Sequence, residues 1–398
     1  MPPQDDESVH HDPVVLKRYD PGWPAAFEAE CSQIWRALGR LVDGGILEDL
    51  AHMGSTSVPG LLAKPTIDIM GRVHPYPPPE EAIRALEDLG FTHHGEYGLP
   101  GRTYFTKGRH DVHLHLVSFE SGHLERHLVF RDYLRANSSA RERYAELKAD
   151  LAERFHDDRR AYQAGKTELI TGLVHEAFAW HVEKTGFAPI ERLYSTLAGL
   201  PDDGSWAVSS GWALDLHCGE PTRYHDDLDV EVDAGRQADI QSVLLEGGWR
   251  VDQVIEGGRY APWTSGERLR QGSHQAHARR KGEFIDVLFA PRSPGTWIYR
   301  RDERISLPLD RAIRRARLPS GAVVPYLAPE AVLLFKSRSS QGGNGEAGPR
   351  SKDDADFARM LPRLDTDARE WLAVALRLVH GEHAWLDALA GTVSQPAD

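Results

Sequence analysis

The sequence predicts an α+β protein made of two tandem domains of one architecture, each a mixed, twisted sheet with flanking helices. Three observations predict it. The chain has 398 residues, too many for one ordinary hydrophobic core, and chains of this length divide into domains. Segments of helical and strand periodicity follow the same order in both halves: helix, strand, small-residue turn, aspartate-bearing strand, helix, further strands. Between the halves, KTGFAPIE (Lys184–Glu191) ends a long helical stretch on Gly186 and opens a new one at Pro189. The expected domains are residues 14–186 and 190–398.

In the first half, apolar residues recur at helical spacing from Trp23 to Val42 (Phe27, Ile34, Leu38, Leu41) and predict a helix. Ile46–Met53 reads as a short strand, followed by a Gly/Ser/Pro loop and the strand Thr66–Val73. Pro75–Pro79 is a turn, and Pro79–Leu89 an amphipathic helix stopping near Gly90. Arg102–Lys107 and Asp111–Phe119 are expected as strands, and Leu124–Arg135, Ala140–Phe155 and Asp157–Lys184 as helices. The second half repeats the order with helix Ile190–Leu197, strand Trp206–Ser209, a Gly/Ser turn with a helix, and the acidic strand Leu228–Val232. Helix Arg236–Glu246, strands Trp249–Val254, Gln275–Arg280 and Phe284–Phe289, and a helical region from Pro329 complete it. Ser337–Lys352 is a Gly/Ser/Arg-rich insert expected to be mobile, either a substrate lid or an inert loop.

Bulk properties narrow the function. Hydrophobic residues at 40% and charged residues at 27% are those of a globular protein. Residues 1–13 read as a disordered tail without the apolar stretch of a signal peptide, and no run approaches the roughly 20 apolar residues of a spanning helix. Cys31 and Cys218 fall in different halves, so buried thiols in a reducing cytoplasm are expected rather than a disulfide or a cysteine metal cluster. A net charge of −13 argues against binding a nucleic-acid backbone. It is compatible with a small cationic partner, although solubility alone is the simpler reason for such a charge.

The chemistry concentrates in HDDLDVEV (His225–Val232). Alternate side chains share a strand face, so Asp227 and Asp229 project together about 7 Å apart, at about 3.3 Å of rise per residue, while Asp226 points away. Paired carboxylates seat Mg²⁺, which takes oxygen ligands and completes its shell with phosphates and water. Taken alone, the pair is equally explained as surface turn aspartates. Upstream, the small residues Ser209, Ser210 and Gly211 let backbone N–H groups approach a phosphate at a helix N-terminus. Downstream, GEFIDVLFA carries a lone Asp286 among apolar neighbours, a costly arrangement unless a cation or partner satisfies it. If its strand lies beside the first, Asp286 completes a three-carboxylate site or serves as general base. Lys336 could reach a triphosphate or simply complement a helix dipole. Lys352, Asp353 and Asp356 read as a solvated helix face.

Small turn, spacer, acidic strand and later strand aspartate together resemble the nucleotidyltransferase fold of the polymerase-β-like superfamily. More narrowly, GWALDLHCGEPTRYHDDLDVEV resembles the aminoglycoside 2″-adenylyltransferases and the lincosamide nucleotidyltransferases, over about Ile190–Leu389. That family usually carries Gly-Gly where this chain has Ser210-Gly211. The resemblance implies Mg²⁺-dependent transfer of a nucleoside monophosphate, with ATP the expected donor, to an acceptor hydroxyl. It carries over Asp227, Asp229 and Asp286 as metal-binding and catalytic, with Ser209, Ser210, Gly211, Arg223, His225 and Lys336 on the nucleotide side.

The first half carries RYDPGWPAAFEAE, HMGSTSVPGLLAKPTIDIM, HLHL, FRDYLRAN and YAELKADL in that order over Val14–Lys184, and resembles the GrpB (UPF0157) family, also assigned to the nucleotidyltransferase superfamily. On that resemblance Gly54-Ser55 stand at the phosphate turn, Asp68 at the first metal carboxylate and Met70 at the second, where a thioether is a poor Mg²⁺ ligand. Asp111, His113 and His115 share a face of DVHLHLV and would lie near Asp68 if the strands pair as in the second half. Imidazoles beside a carboxylate favour a transition metal; alternating histidines are equally an ordinary half-exposed strand face. Ser55, Thr56, Lys64, Arg102 and Arg131 are expected as an anion pocket around Asp68, unless Arg131 and Asp132 pair within the helical layer. This domain is therefore expected to be accessory, binding a nucleotide or another phosphorylated ligand.

For the acceptor, a small aminoglycoside-like cation fits an acidic cleft to which Asp226, Glu231 and Asp233 contribute. A macromolecular hydroxyl, on tRNA or protein, is the alternative, with Arg311–Arg317 (RAIRRAR) as its local basic patch; that cluster otherwise reads as a solvated helix face. A non-catalytic nucleotide-binding scaffold is the third reading.

Overall fold

Apolar alternation builds both sheets. The computed structural model describes residues 13–39, 41, 46–337 and 351–391. The expected N-terminal tail, up to its last residue, and the body of the Ser337–Lys352 insert lie outside the described residues. The chain divides into two units between Lys184 and Thr185.

The first unit is a five-stranded sheet in the order Leu47–Met53, Ile67–Val73, Val112–Val117, Arg102–Lys107, Phe91–His93. Ile67, Ile69, Val73, Phe105 and Leu114 pack on Ile34, Leu38, Ala82 and Leu86, the inward positions of the helices Trp23–Leu38 and Glu80–Glu87. Strand Phe91–His93 is absent from the sequence-based reading because three residues carry too little periodicity. The expected helix Asp157–Lys184 is two helices, Arg159–Gly165 and Thr167–Thr185. The Asp158 side chain caps the first by accepting from Ala161 N–H at 2.9 Å. Gly165 ends it where a Cβ would come within 2.6 Å of Leu151.

The second unit contains an eight-stranded sheet in the order Ile313–Arg317, Val323–Leu327, Trp206–Val208, Asp229–Asp233, Glu283–Ala290, Gln275–Arg280, Arg250–Ile255, Arg259–Pro262. Val230, Val232, Val287 and Phe289 point into a core shared with Ile240, Leu244, Leu333 and Leu376. RAIRRAR does not form the expected solvated helix face. Ile313–Arg317 is an edge strand that pairs antiparallel with the next strand, Val323–Leu327, across the turn of residues 318–322. Its cations are engaged: Arg314 and Arg311 pair with the buried Glu330, and Arg315 with Asp202.

The two units share the connectivity of four strands. In each, the strand before the small-residue turn runs antiparallel to the aspartate-bearing strand. That strand runs parallel to a later one, which is in turn antiparallel to the strand preceding it in sequence.

Candidate active site

In the second unit the turn after Trp206–Val208 brings backbone and hydroxyls onto the acidic strand. Ser209 N–H donates to Asp229 C=O at 2.9 Å, and Ser210 begins the helix Ser210–Cys218. Ser210 adopts φ +55°, the left-handed region that costs an L side chain roughly 1–2 kcal/mol and that glycine enters freely. At Gly211 a Cβ would come within 2.4 Å of the His225 ring and 2.7 Å of Arg223, so only glycine fits beneath them.

The acidic strand starts later than the sequence suggests, at Asp229. Asp227 is exposed on the approach to it, so strand alternation does not govern its direction. Asp229 and Asp286 are direct partners across the parallel pair Asp229–Asp233 and Glu283–Ala290. Burial first, then the charges of Asp227 and Asp286, hold the Asp229 carboxyl well above its usual range; the Ser210 hydrogen bond and Lys336 pull the other way. Asp227 and Asp286 thus both bear electrostatically on the buried Asp229, and carboxylate oxygens are the donors that Mg²⁺ takes. Both Asp286 oxygens accept from Gln275 Nε2, at 2.9 and 2.7 Å.

The flanking candidates divide. Ser209, Ser210, Asp229 and Lys336 line a cavity of ≈ 220 Å³. Lys336 Nζ is buried and shared by Asp353 and Asp356, each at 2.9 Å. These two aspartates are therefore not the expected solvated face: the helix Ser351–Met360 turns them inward, and three cations fix Asp356, namely Lys336, Arg223 and Arg359. His225 is also buried. Its Nε2 meets Asp215 at 2.7 Å and its ring lies 4.4 Å from that of Trp212, so it braces the turn from beneath. Of the acidic residues near the strand, Glu231 is buried against Arg292 and the Trp297 N–H, and Asp233 accepts from Gly235 N–H at 2.8 Å. Arg300 and Arg301 also reach the cavity wall; the cationic run YRRDER (Tyr299–Arg304) is the signal that could have found them.

In the first unit the structure revises the correspondence of residues. Met53 pairs with Asp68, and the next residue, Gly54, has φ +67°. In the second unit Ser209 bonds to Asp229, and the next residue, Ser210, has φ +55°. Asp68 is the parallel partner of His113, as Asp229 is of Asp286. Asp68 therefore stands at the position of Asp229, not at that of Asp227, and Met70 matches Glu231. The position of Asp227 falls to Thr66, whose hydroxyl donates to His110 C=O, and that of Asp286 falls to His113. Met70 is a buried core residue with Met53, Val117 and Leu124.

Asp68, His113 and His115 converge, one ligand atom from each lying within 4.8 Å of the others. Gly54 lies against Asp68 so closely that a Cβ would meet Oδ2 at 2.1 Å. Burial raises the Asp68 pKa, but the hydrogen bond from His113 and the fields of His113, His115 and Lys64 outweigh it and leave the carboxyl below its usual value. Burial lowers His115 to about 3. Asp111 is exposed, in the turn ahead of the strand, and lies outside this group. Thr56 secures the turn by donating to Thr66 C=O. Arg102 Nη1 lies 3.4 Å from His115 Nδ1 while Nη2 holds the Tyr97 carbonyl. Arg131 is drawn off to Asp132 and to His52 C=O. Lys148, unnoticed in the helix Ser138–Arg154, reaches Ser55 Oγ at 2.8 Å and also the Leu62 carbonyl. Burial, then the neighbouring lysines, lowers Lys148 to about 7. Lys64 and Lys166 fall to about 8, again chiefly by burial.

Comparison with known proteins follows the same division. Residues 13–176 match the family model described as GrpB protein, and residues 194–268 the model described as aminoglycoside-2″-adenylyltransferase. The UPF0157 protein YqkA of Bacillus subtilis is 35% identical over 169 residues, covering 42% of this chain and 48% of the relative. The chain thus spans about half the length of that relative. The UPF0157 protein PA4798 of Pseudomonas aeruginosa is 37% identical, covering 42% of this chain and 69% of that protein. A crystal structure of ANT(2″)-Ia in complex with adenylyl-2″-tobramycin is 17% identical, covers 51% of this chain and 94% of that one, and superposes with a TM-score of 0.29. Among the described residues no helix is long and apolar enough to cross a membrane. The chain belongs to the GrpB (UPF0157) family through its first half, and residues 194–268 of its second half match the aminoglycoside-2″-adenylyltransferase model.

Proposed function

We propose that the second half transfers a nucleoside monophosphate, AMP from ATP, to a hydroxyl of a small cationic acceptor of the aminoglycoside kind. The observation that carries this is the partnering of Asp229 with Asp286 beside Asp227, three carboxylates whose mutual repulsion a divalent cation relieves. Asp227, Asp229 and Asp286 would hold Mg²⁺, which when bound neutralises phosphate charge. Ser210, Arg300 and Arg301, which line the same cavity as Asp229, receive the phosphates. The acceptor oxygen forms a bond to the α-phosphorus as the bond to pyrophosphate breaks, and Asp286, aligned by Gln275, takes the hydroxyl proton. The family model matched by residues 194–268 supports this chemistry and the acceptor class.

For the first half we propose an accessory role in binding a phosphorylated ligand. Lys64, Lys148 and Lys166 crowd the Ser55 turn with depressed pKa values, and an anion relieves that crowding.

The full chain with Mg²⁺, each labelled nucleoside triphosphate and a panel of aminoglycosides and lincosamides is expected to release pyrophosphate with ATP and an acceptor of this panel. Absence of acceptor-dependent release across the panel would overturn the acceptor assignment. Release without acceptor would favour modification of the protein itself or of a bound macromolecule.

A further inference from the structure

We propose that Asp68, His113 and His115 bind a divalent transition-metal ion, making the first half a metal centre chemically different from the carboxylate site of the second. The proposal is independent of the transfer activity above.

Three observations carry it. The ligand atoms are already gathered, within 4.8 Å of one another, on neighbouring parallel strands. His113 Nδ1 lies 3.0 Å from Asp68 Oδ1, a contact that fixes the ring's orientation and leaves its other nitrogen for an ion. The second ring nitrogen, His113 Nε2, is buried and makes no hydrogen bond. A buried, unpaired ring nitrogen is costly in an ordinary strand histidine.

The shared strand register gives the site its meaning. The position that holds Asp286 in the second half holds His113 in the first, and that of Leu288 holds His115. One scaffold thus presents the paired carboxylates Asp229 and Asp286 in one half and a carboxylate with two imidazoles in the other. Mg²⁺ takes the first set; Zn²⁺, Co²⁺, Ni²⁺ and related ions take the second. Three protein ligands leave coordination positions open. A cleft of ≈ 420 Å³, lined by His113 and His115 together with His94, Tyr104, His110 and Arg159, gives a ligand access to them. Gly54 fixes the carboxylate from behind, since any side chain there would displace Asp68.

The test is Co²⁺ titration of the chelator-treated full chain, followed by visible ligand-field absorption and by X-ray absorption at the cobalt edge. One equivalent is expected, with nitrogen in the cobalt shell. His113→Gln and His115→Gln are each expected to weaken binding by at least tenfold while circular dichroism stays that of the folded chain. Asp229→Asn is expected to leave the signal unchanged. Absence of stoichiometric binding, an all-oxygen shell, or loss of the signal in Asp229→Asn would overturn the proposal. The count of nitrogens in the wild-type shell decides the matter even if a histidine variant fails to fold.

Discussion

Asp229 and Asp286 face each other across two parallel strands, and the carboxyl of Asp229 is held well above its usual range by burial and by its two acidic neighbours. A raised carboxyl pKa means that ionising Asp229 costs folding free energy. In metal-free protein this contribution to stability is complete below the unfolded value of 3.8 and is lost as pH rises through the folded value. Asp229→Asn should therefore abolish pyrophosphate release, by about 10²–10³-fold or more, yet raise the metal-free melting temperature at neutral pH by about 2–4 °C. It should also flatten the fall in stability above pH 4. A variant that melts lower at neutral pH would contradict the repulsion.

Ser210 occupies a left-handed conformation next to Asp229. Ser210→Ala keeps that backbone cost and loses the hydroxyl bond, whereas Ser210→Gly loses the bond and is relieved of the backbone cost. The glycine variant should exceed the alanine variant in unfolding free energy by about 1 kcal/mol, measured by urea denaturation. Equal stability would mean that the turn relaxes in solution.

Gly54→Ala is expected to be severe, because a methyl group would meet Asp68 Oδ2 at 2.1 Å on a backbone at φ +67°. A loss of about 2–4 kcal/mol in denaturant unfolding is the expected outcome. A loss under 1 kcal/mol would show that the turn and Asp68 can separate.

Burial holds Lys148, Lys64 and Lys166 at about 7, 8 and 8, below the ordinary lysine value of 10.5. A lowered lysine pKa gives stability that is complete above the unfolded value and is lost as pH falls through the folded one. Melting temperature should therefore drop from about pH 9 to about pH 6, and pyrophosphate should restore it at the lower pH, by about 2.7 kcal/mol at a hundredfold excess over Kd. Lys148→Met should blunt both effects. A melting temperature indifferent to pyrophosphate at pH 6 would remove the anion site.

Arg300 and Arg301 reach the cavity that Asp229 lines. Arg300→Ala should raise KM for the nucleotide about tenfold, from loss of a charge-assisted contact of about 1.5–3 kcal/mol, with a smaller effect on kcat. Unchanged steady-state kinetics with every triphosphate would place the phosphates elsewhere.

Much of this was legible in the chain. Asp229 and Asp286 stand out as acidic residues in apolar strands, and the small-residue turn precedes them at readable spacing. The alternating His113 and His115 announce one face of one strand. Arg300 and Arg301 left only the cationic run YRRDER as a signal, and Lys148 left none, because each is brought to its site by elements distant in sequence. The same holds for Asp353 and Asp356: on their helix they look solvated, and only the packing of Lys336 against them turns them into a buried ion cluster.

By itself the sequence determined that there are two repeats of one plan and that the second carries more carboxylates, since residue type and local period are properties of the chain alone. Which residues correspond was decided by the tertiary structure. Asp68 looked like the counterpart of Asp227 as long as only its distance from Met70 could be read. Pairing with Met53 on one side and His113 on the other moves it to the position of Asp229. A strand's face and register are fixed by its neighbours, through hydrogen bonds that span 45 residues between Asp68 and His113, and no local pattern contains them.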